Sequence, residues 1–258
     1  MAFYPGFDVY PSENPMEFSY GDECFGPKPE LRTLDAIRQS LLDKDCKGPE
    51  IVYSIAMDVG KKQHREKLQA MRLLYGVVTY ASGTLGKEPI RSQGHIHVRS
   101  TWANNWSTPE VYEIWQGEAI IYMQELGGDN PGRCQAVYAK PGDVVIVPPG
   151  WTHATISANP NRPLTFGAWC DRNYGFEYDE VRAHKGVAWF PIIGKSQTIE
   201  WLRNENYLPS KLQITEARTY PEFSIEKGKA IYTQFEEDNN QFLFVTRPDL
   251  FKAVWDKF

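Results

Sequence analysis

The feature that most constrains the fold is a long run of short β-type segments between residues 50 and 193. They are rich in valine, isoleucine and aromatic residues, and turns containing glycine or proline, such as KPGD and NPNRP, separate them. A doubly wound α/β sheet would need a helical pattern of about 10 to 15 residues between strands, and none occurs between 70 and 193. We therefore predict an all-β core of roughly eight to ten antiparallel strands that forms a barrel or jelly roll. The predicted strands are EIVYSIAMDV, RLLYGVVTY, PIRSQGHIHV, EVYEIWQ, EAIIYMQEL, CQAVYAK, DVVIVPP, HATIS, LTFGAW and VAWFPII.

The regions on either side of this core differ from it in pattern. Residues 1–49 are predicted to form an N-terminal arm, extended at first and followed by an amphipathic helix over 30–45, where leucine and isoleucine recur at helical spacing. The barrel is expected to span 50–194. Residues 195–258 are predicted to be a C-terminal extension that packs on the barrel.

Three segments of the C-terminal extension carry a local pattern. SQTIEWLRNENYL is predicted to be a short helix and KGKAIYTQF a strand. TRPDLFKAVWDKF predicts a final helix with Thr246 as its cap, Pro248 in its first turn and one apolar stripe. We expect this last helix to dock on the barrel or on a second subunit.

Charge and composition exclude several classes of function. The formal net charge of −5, without any block of like charges, argues against nucleic acid or an anionic membrane surface as a partner. No apolar run approaches the roughly 18 residues that span a bilayer, and the first residues lack the pattern of a secretion signal. The four cysteines are widely spaced and form no CxxC pair, as in a protein with reduced thiols. We predict a cytoplasmic protein that acts on a small polar substrate.

Two of the five histidines form a His-x-His pair in QGHIHV. Residues two apart on a strand face the same side, so His95 and His97 can point together into the barrel. His153 follows a Pro-Pro-Gly turn and could converge on the pair as a third nitrogen ligand. A lone histidine most often satisfies a local hydrogen bond, but this pattern of three favours a metal site.

A carboxylate would complete such a site, because three imidazoles and a carboxylate bind zinc, iron, manganese or nickel and leave a position open. The segment PEVYEIWQG offers two candidates. Strand alternation puts Glu110 and Tyr112 on one face, and Val111, Glu113 and Trp115 on the other. Periodicity alone does not decide which face points inwards, and an outward Glu113 would lie beside solvent.

These residues carry a family resemblance. GDVVIVPPGWTH, at 142–153, resembles the second sequence motif of the cupins. His95, His97, Glu110 and Gly117 resemble the first motif, although the insert VRSTWANNWSTP makes the gap before the glutamate longer than usual.

Within the cupins, the chain is similar to the archaeal-type glucose-6-phosphate isomerases. VYSIAMD resembles the strand of that family that bears an active-site tyrosine, and LGKEPIRSQGHIH resembles its GKE and GHxH segment. PEVYEIWQGEA and PPGWTHATIS resemble two further stretches. The resemblance covers roughly residues 50–190, and the terminal regions look like additions to a shorter core.

The resemblance implies a cupin-type antiparallel β-barrel or jelly roll with added N-terminal and C-terminal helices. It selects Glu110 as the carboxylate, so the implied metal ligands are His95, His97, Glu110 and His153. The implied substrate contacts are Tyr53, Ser92, Gly94 and Tyr112, and Tyr178 keeps a further tyrosine of the family.

Some positions depart from the family pattern for phosphate binding. Ser92 stands where the family has a phosphate-binding threonine, and it keeps the hydroxyl. A second such threonine aligns with Val77, and an active-site histidine aligns with Phe176. Arg91 or the insert could supply a substitute phosphate contact.

The implied activity is the metal-dependent interconversion of glucose 6-phosphate and fructose 6-phosphate, a step of glycolysis and gluconeogenesis. The resemblance implies one divalent transition metal per chain, with iron favoured over zinc, manganese or nickel, and a homodimer. Glu110 is the candidate for carrying a proton between C1 and C2, with Tyr112 as a hydrogen-bond partner of a sugar oxygen. A metal-assisted hydride shift, with Glu110 acting only as a ligand, is the alternative.

Three other functions stay open, because cupins serve many chemistries. One is an isomerase of another sugar phosphate, such as mannose 6-phosphate. The others are a metal-dependent cupin oxygenase, which would need an apolar substrate pocket, and a non-catalytic sugar-binding cupin. Tyrosines, Ser92 and glycine-rich turns near the site favour a polar sugar.

Overall fold

The computed structural model describes residues 2–173 and 175–258. Strands dominate this part of the chain, and most of them fall in the predicted core. In chain order they are β1 Val9–Glu13, β2 Met16–Tyr20, β3 Cys24–Phe25, β4 Glu30–Thr33, β5 Ile51–Met57, β6 Gly60–Lys61, β7 Leu73–Tyr80, β8 Thr84–Leu85, β9 Glu88–Pro89, β10 Ile96–His97, β11 Arg99–Ser100, β12 Trp106–Ser107, β13 Glu110–Gln116, β14 Ala119–Gln124, β15 Cys134–Ala139, β16 Val144–Val147, β17 Thr152–Ser157, β18 Leu164–Asp171, β19 Phe176–Glu177, β20 Trp189–Ile193, β21 Ile199–Arg203 and β22 Leu212–Glu216.

The helices are short. Within 2–173 and 175–258, no helix has the length and apolar character needed to cross a membrane. The α-helices are α1 Leu34–Ile37, α2 Arg65–Ala70, α3 Asp179–Ala183, α4 Ile231–Glu237, α5 Leu243–Thr246 and α6 Lys252–Trp255. Single turns of 3-10 helix lie at Arg38–Ser40, Lys62–His64, Pro221–Phe223, Asn239–Phe242 and Pro248–Phe251.

Two sheets face each other and form the barrel. The six-stranded sheet has the order β16-β13-β18-β7-β5-β4 and is antiparallel throughout. The four-stranded sheet has the order β17-β14-β15-β22, and its only parallel pair within the described residues is β15 with β22. Side chains of both sheets, including Tyr112, Phe166 and Ile121, share one buried apolar cluster. The predicted all-β jelly roll with added terminal helices is confirmed.

The outer faces of both sheets are also covered. On the six-stranded sheet, Phe7 of the N-terminal arm packs against Tyr75 with ring centroids 5.6 Å apart. On the same face, Tyr232 of α4 stacks on Trp169 at 5.4 Å. Residues from 181–207 cover the four-stranded sheet. Both faces of the six-stranded sheet are therefore covered, and every residue of its strands β7 and β18 is buried. This explains the continuous apolar sequences of these two strands.

The amphipathic helix predicted over 30–45 is wrong. This region begins with β4, which pairs with β5 so that Arg32 lies opposite Tyr53, and only α1 and one 3-10 turn follow. Leu31 and Leu42, which belong to the supposed apolar stripe, are 51% and 40% exposed. Pairing with a neighbouring strand satisfies the backbone groups of β4, and this outweighs the helical spacing of its side chains.

Three predictions in the C-terminal extension are wrong as well. The segment predicted as a short helix forms β21, which pairs with β20, and the segment predicted as a strand forms α4. The final segment is helical, but it begins as a 3-10 turn at Pro248 with Arg247 before it. Thr246 therefore lies at the end of α5 and does not cap the final helix. Phe251 and Trp255 pack against the apolar cluster on the outer face of the six-stranded sheet, which includes Phe7, Tyr75 and Tyr232 and is called the outer apolar cluster below.

Candidate metal centre

Four side chains from different parts of the barrel meet at one point. His95 and His153 lie opposite each other on adjacent backbone segments, which exchange two hydrogen bonds of 3.0 and 2.9 Å. His97 belongs to β10, and Glu110 is the first residue of β13. One potential ligand atom of each residue lies within 4.8 Å of the others. The expected convergence of the His-x-His pair with the third histidine is thus observed.

Backbone carbonyl groups orient two of the imidazole rings. His97 Nδ1 lies 3.1 Å from the Thr108 carbonyl oxygen, and His153 Nδ1 lies 3.0 Å from that of Trp151. Because a carbonyl can only accept, each Nδ1 carries the proton, and a neutral ring then presents a lone pair at Nε2. Both Nε2 atoms face Glu110 Oε2, at 3.2 Å from His97 and 3.0 Å from His153. A cation between them, either a proton or a metal ion, reconciles these lone pairs with the carboxylate.

The Nε2 atoms of His95 and His97 are buried and form no hydrogen bond with any described residue. Burial lowers the pKa of His95 well below its usual value, and the charges of His153 and His97 lower it further. His95 is therefore a neutral imidazole, the form that binds a metal. Orphaned nitrogen atoms beside a carboxylate fit a bound divalent transition metal.

Glu110 is held in place by several donors. The Tyr112 hydroxyl donates to its Oε2 at 2.7 Å, and the Cys170 thiol donates to its Oε1 at 3.4 Å. Burial alone would raise the pKa of Glu110, but the hydrogen bond with His153 and the imidazole of His97 nearby hold that pKa well below its usual value. The carboxylate is thus ionised at neutral pH.

The structure places the two candidate glutamates on opposite faces of β13. Glu113 points away from the histidines into the outer apolar cluster, where its Oε1 accepts a hydrogen bond from Ile231 N at 2.7 Å. Its Oε2 accepts one from Trp115 Nε1 at 3.0 Å. Glu113 is 0% exposed, so the expectation that an outward Glu113 would lie beside solvent is wrong. Terminal segments cover this face, and the sequence pattern does not show them.

A cavity opens beside the four-residue cluster. Alternate side chains of β4, β5, β7, β13 and β18 face it, as do residues of the His-x-His segment, β17 and the 176–178 region. Its lining residues are Arg32, Tyr53, Ile55, Met57, Gly76, Val78, Tyr80, Ser92, Gln93, His95, Glu110, Tyr112, Thr155, Phe166, Ala168, Cys170, Phe176 and Tyr178.

Four of the five predicted substrate contacts line this cavity: Tyr53, Ser92, Tyr112 and Tyr178. Ser92 Oγ accepts a hydrogen bond from Thr155 N at 3.1 Å, and this bond fixes the position of the hydroxyl in the cavity wall. Gly94 lies outside the lining residues. Its φ of +92° suits glycine, and a Cβ there would lie 2.8 Å from Val187 Cγ1.

Three expectations about phosphate binding do not fit the structure. Val77 points into the outer apolar cluster, away from the cavity. Arg91 is fully buried, and its guanidinium is occupied by Glu88 Oε1 at 2.7 Å and by the carbonyl groups of Ser40 and Ser92. The residues of the 98–109 insert line no part of the cavity.

The insert instead supports the cluster from outside. Its Thr108 carbonyl fixes the ring of His97, and Ser107 Oγ donates to the His97 carbonyl at 2.7 Å. Phe176, which aligns with a histidine of the family, packs its ring 4.4 Å from that of His95. An aromatic wall therefore stands where the family has a polar side chain.

Sequence reasoning missed several residues of the cavity, most notably Arg32, Gln93 and Cys170. The spacing of the neighbouring leucines predicts a helix for Arg32, and no motif points to it. Gln93 stands between Ser92 and the His-x-His pair, so its position beside a known motif was the only available signal. Nothing in the sequence around Cys170 marks it.

The fold and the site together define a metal-binding cupin: a jelly-roll barrel in which three histidines and one glutamate meet beside a cavity. Comparison with known proteins narrows this class. The model of the family described as Glucose-6-phosphate isomerase (GPI) matches residues 31–210, well over half of the chain. The chain belongs to this family. The match extends in both directions beyond the 50–190 range that the motifs indicated.

Individual relatives agree with this placement. Glucose-6-phosphate isomerase from Pyrococcus furiosus is 26% identical over 169 residues, which cover 63% of this chain and 80% of that protein. The enzyme of the same name from Thermococcus kodakarensis is 25% identical over 162 residues, which cover 61% of this chain and 77% of that protein. Among solved structures, a mutant oxalate decarboxylase from Bacillus subtilis matches 59% of this chain and 30% of that chain, with 13% identity and a TM-score of 0.37.

Proposed function

We propose that this protein is a metal-dependent glucose-6-phosphate isomerase, which interconverts glucose 6-phosphate and fructose 6-phosphate in glycolysis and gluconeogenesis. The observation that carries this proposal is the cluster of His95, His97, Glu110 and His153 within 4.8 Å. It faces a cavity with tyrosine, serine and arginine donors, in a chain whose family is that of glucose-6-phosphate isomerases.

The four clustered residues are the proposed ligands of one divalent transition metal per chain. When bound, such a metal acts as a Lewis acid that stabilises negative charge on the carbonyl and hydroxyl oxygens of the sugar. We propose iron as the native metal, with zinc, manganese and nickel as the alternatives to compare. All four donors are types that these metals accept.

Glu110 is the proposed base that carries a proton between C1 and C2 of the sugar. Its carboxylate is ionised at neutral pH because the histidines lower its pKa. The same low pKa makes it a weak base, so this role requires Glu110 to leave the metal when substrate binds; a metal-assisted hydride shift with Glu110 as a ligand is the alternative. The Tyr112 hydroxyl and the Cys170 thiol hold its two oxygen atoms from different sides, and this fixes the direction in which it presents a lone pair.

The hydroxyl groups of Tyr53, Ser92 and Tyr178 are proposed to bind the sugar phosphate, with Gly94 acting through its backbone. Burial raises the pKa of Tyr53 to about 12, so this phenol stays protonated and can donate a hydrogen bond. We also propose that the protein is a cytoplasmic homodimer. Its four cysteines are free and buried, which suits a reducing compartment.

The test is a coupled assay of fructose 6-phosphate conversion on protein stripped with a chelator and then reloaded with iron, manganese, nickel or zinc. Turnover that returns with metal and is lost in Glu110→Gln supports the proposal. Glu118→Gln is the matched control, because Glu118 lies exposed just beyond the same strand.

Absence of turnover with every metal contradicts the proposal. Conversion of mannose 6-phosphate instead would identify another sugar phosphate as the substrate. Metal-dependent oxygen uptake would identify an oxygenase, and tight sugar binding without turnover would identify a binding protein.

A further inference from the structure

Arg32 places a positive charge in the cavity that no carboxylate neutralises directly. It lies on β4 opposite Tyr53, and its side chain lines the cavity. Its Nε is buried and has no hydrogen-bond partner among the described residues. Glu30, two positions along the strand, is exposed and forms no ion pair with it. A buried N–H without an acceptor favours a ligand with acceptor oxygens, and the positive charge of the guanidinium favours an anionic one.

A second arginine, Arg182, contacts two residues of the cavity lining, Gln93 and Tyr178. Arg182 of α3 donates from Nε to the side-chain oxygen of Gln93 at 3.2 Å. Its guanidinium carbon lies 4.9 Å from the centre of the Tyr178 ring. Burial raises the pKa of Tyr178, whereas the charges of Arg32 and Arg182 both act to lower it. Two guanidinium groups therefore act on one phenol at the rim of the cavity.

The position of this pair relative to the metal centre suits a bifunctional substrate. The Tyr178 ring, on which both arginines act, lies 6.1 Å from the ring of His95, and Arg32, Tyr178 and His95 line the same cavity. In a hexose phosphate, the reacting carbons C1 and C2 are at one end of the molecule and the phosphate is at the other. Such a substrate can place its carbonyl end at the four-residue cluster only if an anion-binding group waits several ångströms away.

We infer that Arg32, assisted by Arg182 at the rim, forms the subsite that binds the phosphate of the substrate. The planar guanidinium of Arg32 offers two parallel donors to a phosphate, a geometry that lysine lacks. The hydroxyl groups of Tyr178 and Ser92 complete the set of donors. This inference rests on the proposed function in naming the phosphate as part of a sugar, and it gives β4, part of the N-terminal arm, a direct role in substrate selection.

The experiment compares the metal-loaded wild type with Arg32→Gln, Arg32→Lys and Arg182→Gln. The steady-state parameters for fructose 6-phosphate and the inhibition constant of inorganic phosphate are measured for each. Arg162→Gln is the control, since Arg162 is exposed in the turn before β18. This substitution changes the net charge by the same amount as Arg32→Gln. Thermal unfolding of each variant verifies the fold.

We expect Arg32→Gln to raise the KM and the phosphate inhibition constant together by about 10- to 100-fold, as for loss of a charged hydrogen bond. Its kcat should change less than about threefold, because the group contacts no reacting atom. Arg32→Lys should recover part of the loss. Arg182→Gln should raise both constants by about three- to tenfold, and this variant tests the subsite even if substitution of Arg32 impairs folding.

Constants within twofold of wild type in folded Arg32→Gln would overturn the inference while leaving the isomerase activity established. If the wild type does not isomerise fructose 6-phosphate, the proposed function fails. The subsite is then tested alone by calorimetric titration of wild type and Arg32→Gln with inorganic phosphate. Weaker binding in the variant supports it, and equal binding overturns it.

Discussion

Strand β13 carries two buried glutamates on opposite faces of the six-stranded sheet, and their surroundings give them opposite properties. Glu110 faces the cavity and is 8% exposed, whereas Glu113 faces the outer layer and is 0% exposed. Burial acts in the same direction on both, since it disfavours the charged carboxylate. Histidines hold the pKa of Glu110 well below its usual value, while burial raises the pKa of Glu113 to about 8.

The difference lies in the partners. The Oε2 atom of Glu110 has two imidazole nitrogens within 3.2 Å, and these can share positive charge with it. Among the residues that the structure describes, Glu113 has two donors, the Ile231 N–H and the Trp115 indole, and both are neutral. Hydrogen bonds from neutral groups lower its pKa, but not enough to offset the loss of water. On the cavity side of β13 the carboxylate of Glu110 is therefore ionised. On the outer side, where Glu113 contacts the first residue of α4, the carboxyl group is largely protonated at neutral pH.

The largest effect is expected from Glu110→Gln, which removes the charge on the cavity side. We expect kcat/KM to fall by about a thousandfold or more, because the change removes both a proposed ligand and a proposed base. Metal content per chain, measured by elemental analysis, should fall as well. Glu113→Gln in the same assay should stay within about threefold of wild type. An equal loss of activity in the two variants would break the comparison.

The second effect concerns stability. Glu113→Ala leaves a cavity and two buried donors, Ile231 N and the Trp115 indole, without acceptors. We expect the free energy of unfolding to fall by about 2 to 4 kcal/mol, measured by denaturant titration. Glu118→Ala, on the exposed turn after the strand, should change it by less than about 0.5 kcal/mol. A stable Glu113→Ala protein would show that α4 docks without this carboxylate.

The third effect tests how Glu110 is held. Tyr112→Phe removes the hydroxyl that donates to Glu110 Oε2 at 2.7 Å. Loss of a hydrogen bond to a carboxylate is expected to lower kcat by about 10- to 100-fold, with the KM changed less. Tyr122→Phe is the control, because its buried hydroxyl binds the Gln124 side chain outside the cavity. Unchanged kcat in Tyr112→Phe would assign this tyrosine to packing alone.

Per pH unit, the smallest effect is the pH dependence of stability that Glu113 contributes. Its pKa rises from 4.5 in the unfolded chain to about 8 in the folded protein, so between these values the folded state holds a proton that the unfolded state has lost. The free energy of unfolding should therefore fall with rising pH by up to about 1.4 kcal/mol per pH unit in this window. In Glu113→Gln this slope should be absent, and an unchanged slope would show that other groups produce it.

The sequence sufficed for the barrel and for the convergence of three histidines because those signals are local. Strands separated by glycine and proline turns, and a His-x-His pair with a period of two, can be read without knowing their neighbours. The choice between Glu110 and Glu113 could not be made in this way. Every residue of β13 except Gln116 is buried, so the strand shows no alternation between apolar and polar residues that would reveal its inner face.

The prediction of a helix over 30–45 failed for a different reason. In LRTLDAIRQSLL the leucines recur at helical spacing, yet β5 offers an edge that β4 pairs with. That long-range pairing turns Arg32 from a predicted helix surface into the cavity. The segment that forms β21 was expected to be a helix, and the segment that forms α4 was expected to be a strand. Both errors have the same cause, because short segments of mixed propensity take the structure that their tertiary contacts favour.

Because β13 carries a required glutamate on each face, it cannot gain or lose a single residue without losing both sets of contacts. Adding or removing one residue inside this strand would exchange its faces, so Glu110 would leave the histidines and Glu113 would leave α4 in the same event. A chain with this strand in the wrong register could neither act nor keep its C-terminal helices, so a stable but inactive slipped form cannot accumulate. The insert at 98–109 lies before this strand, so a change of length there leaves the alternation of side chains within β13 unchanged.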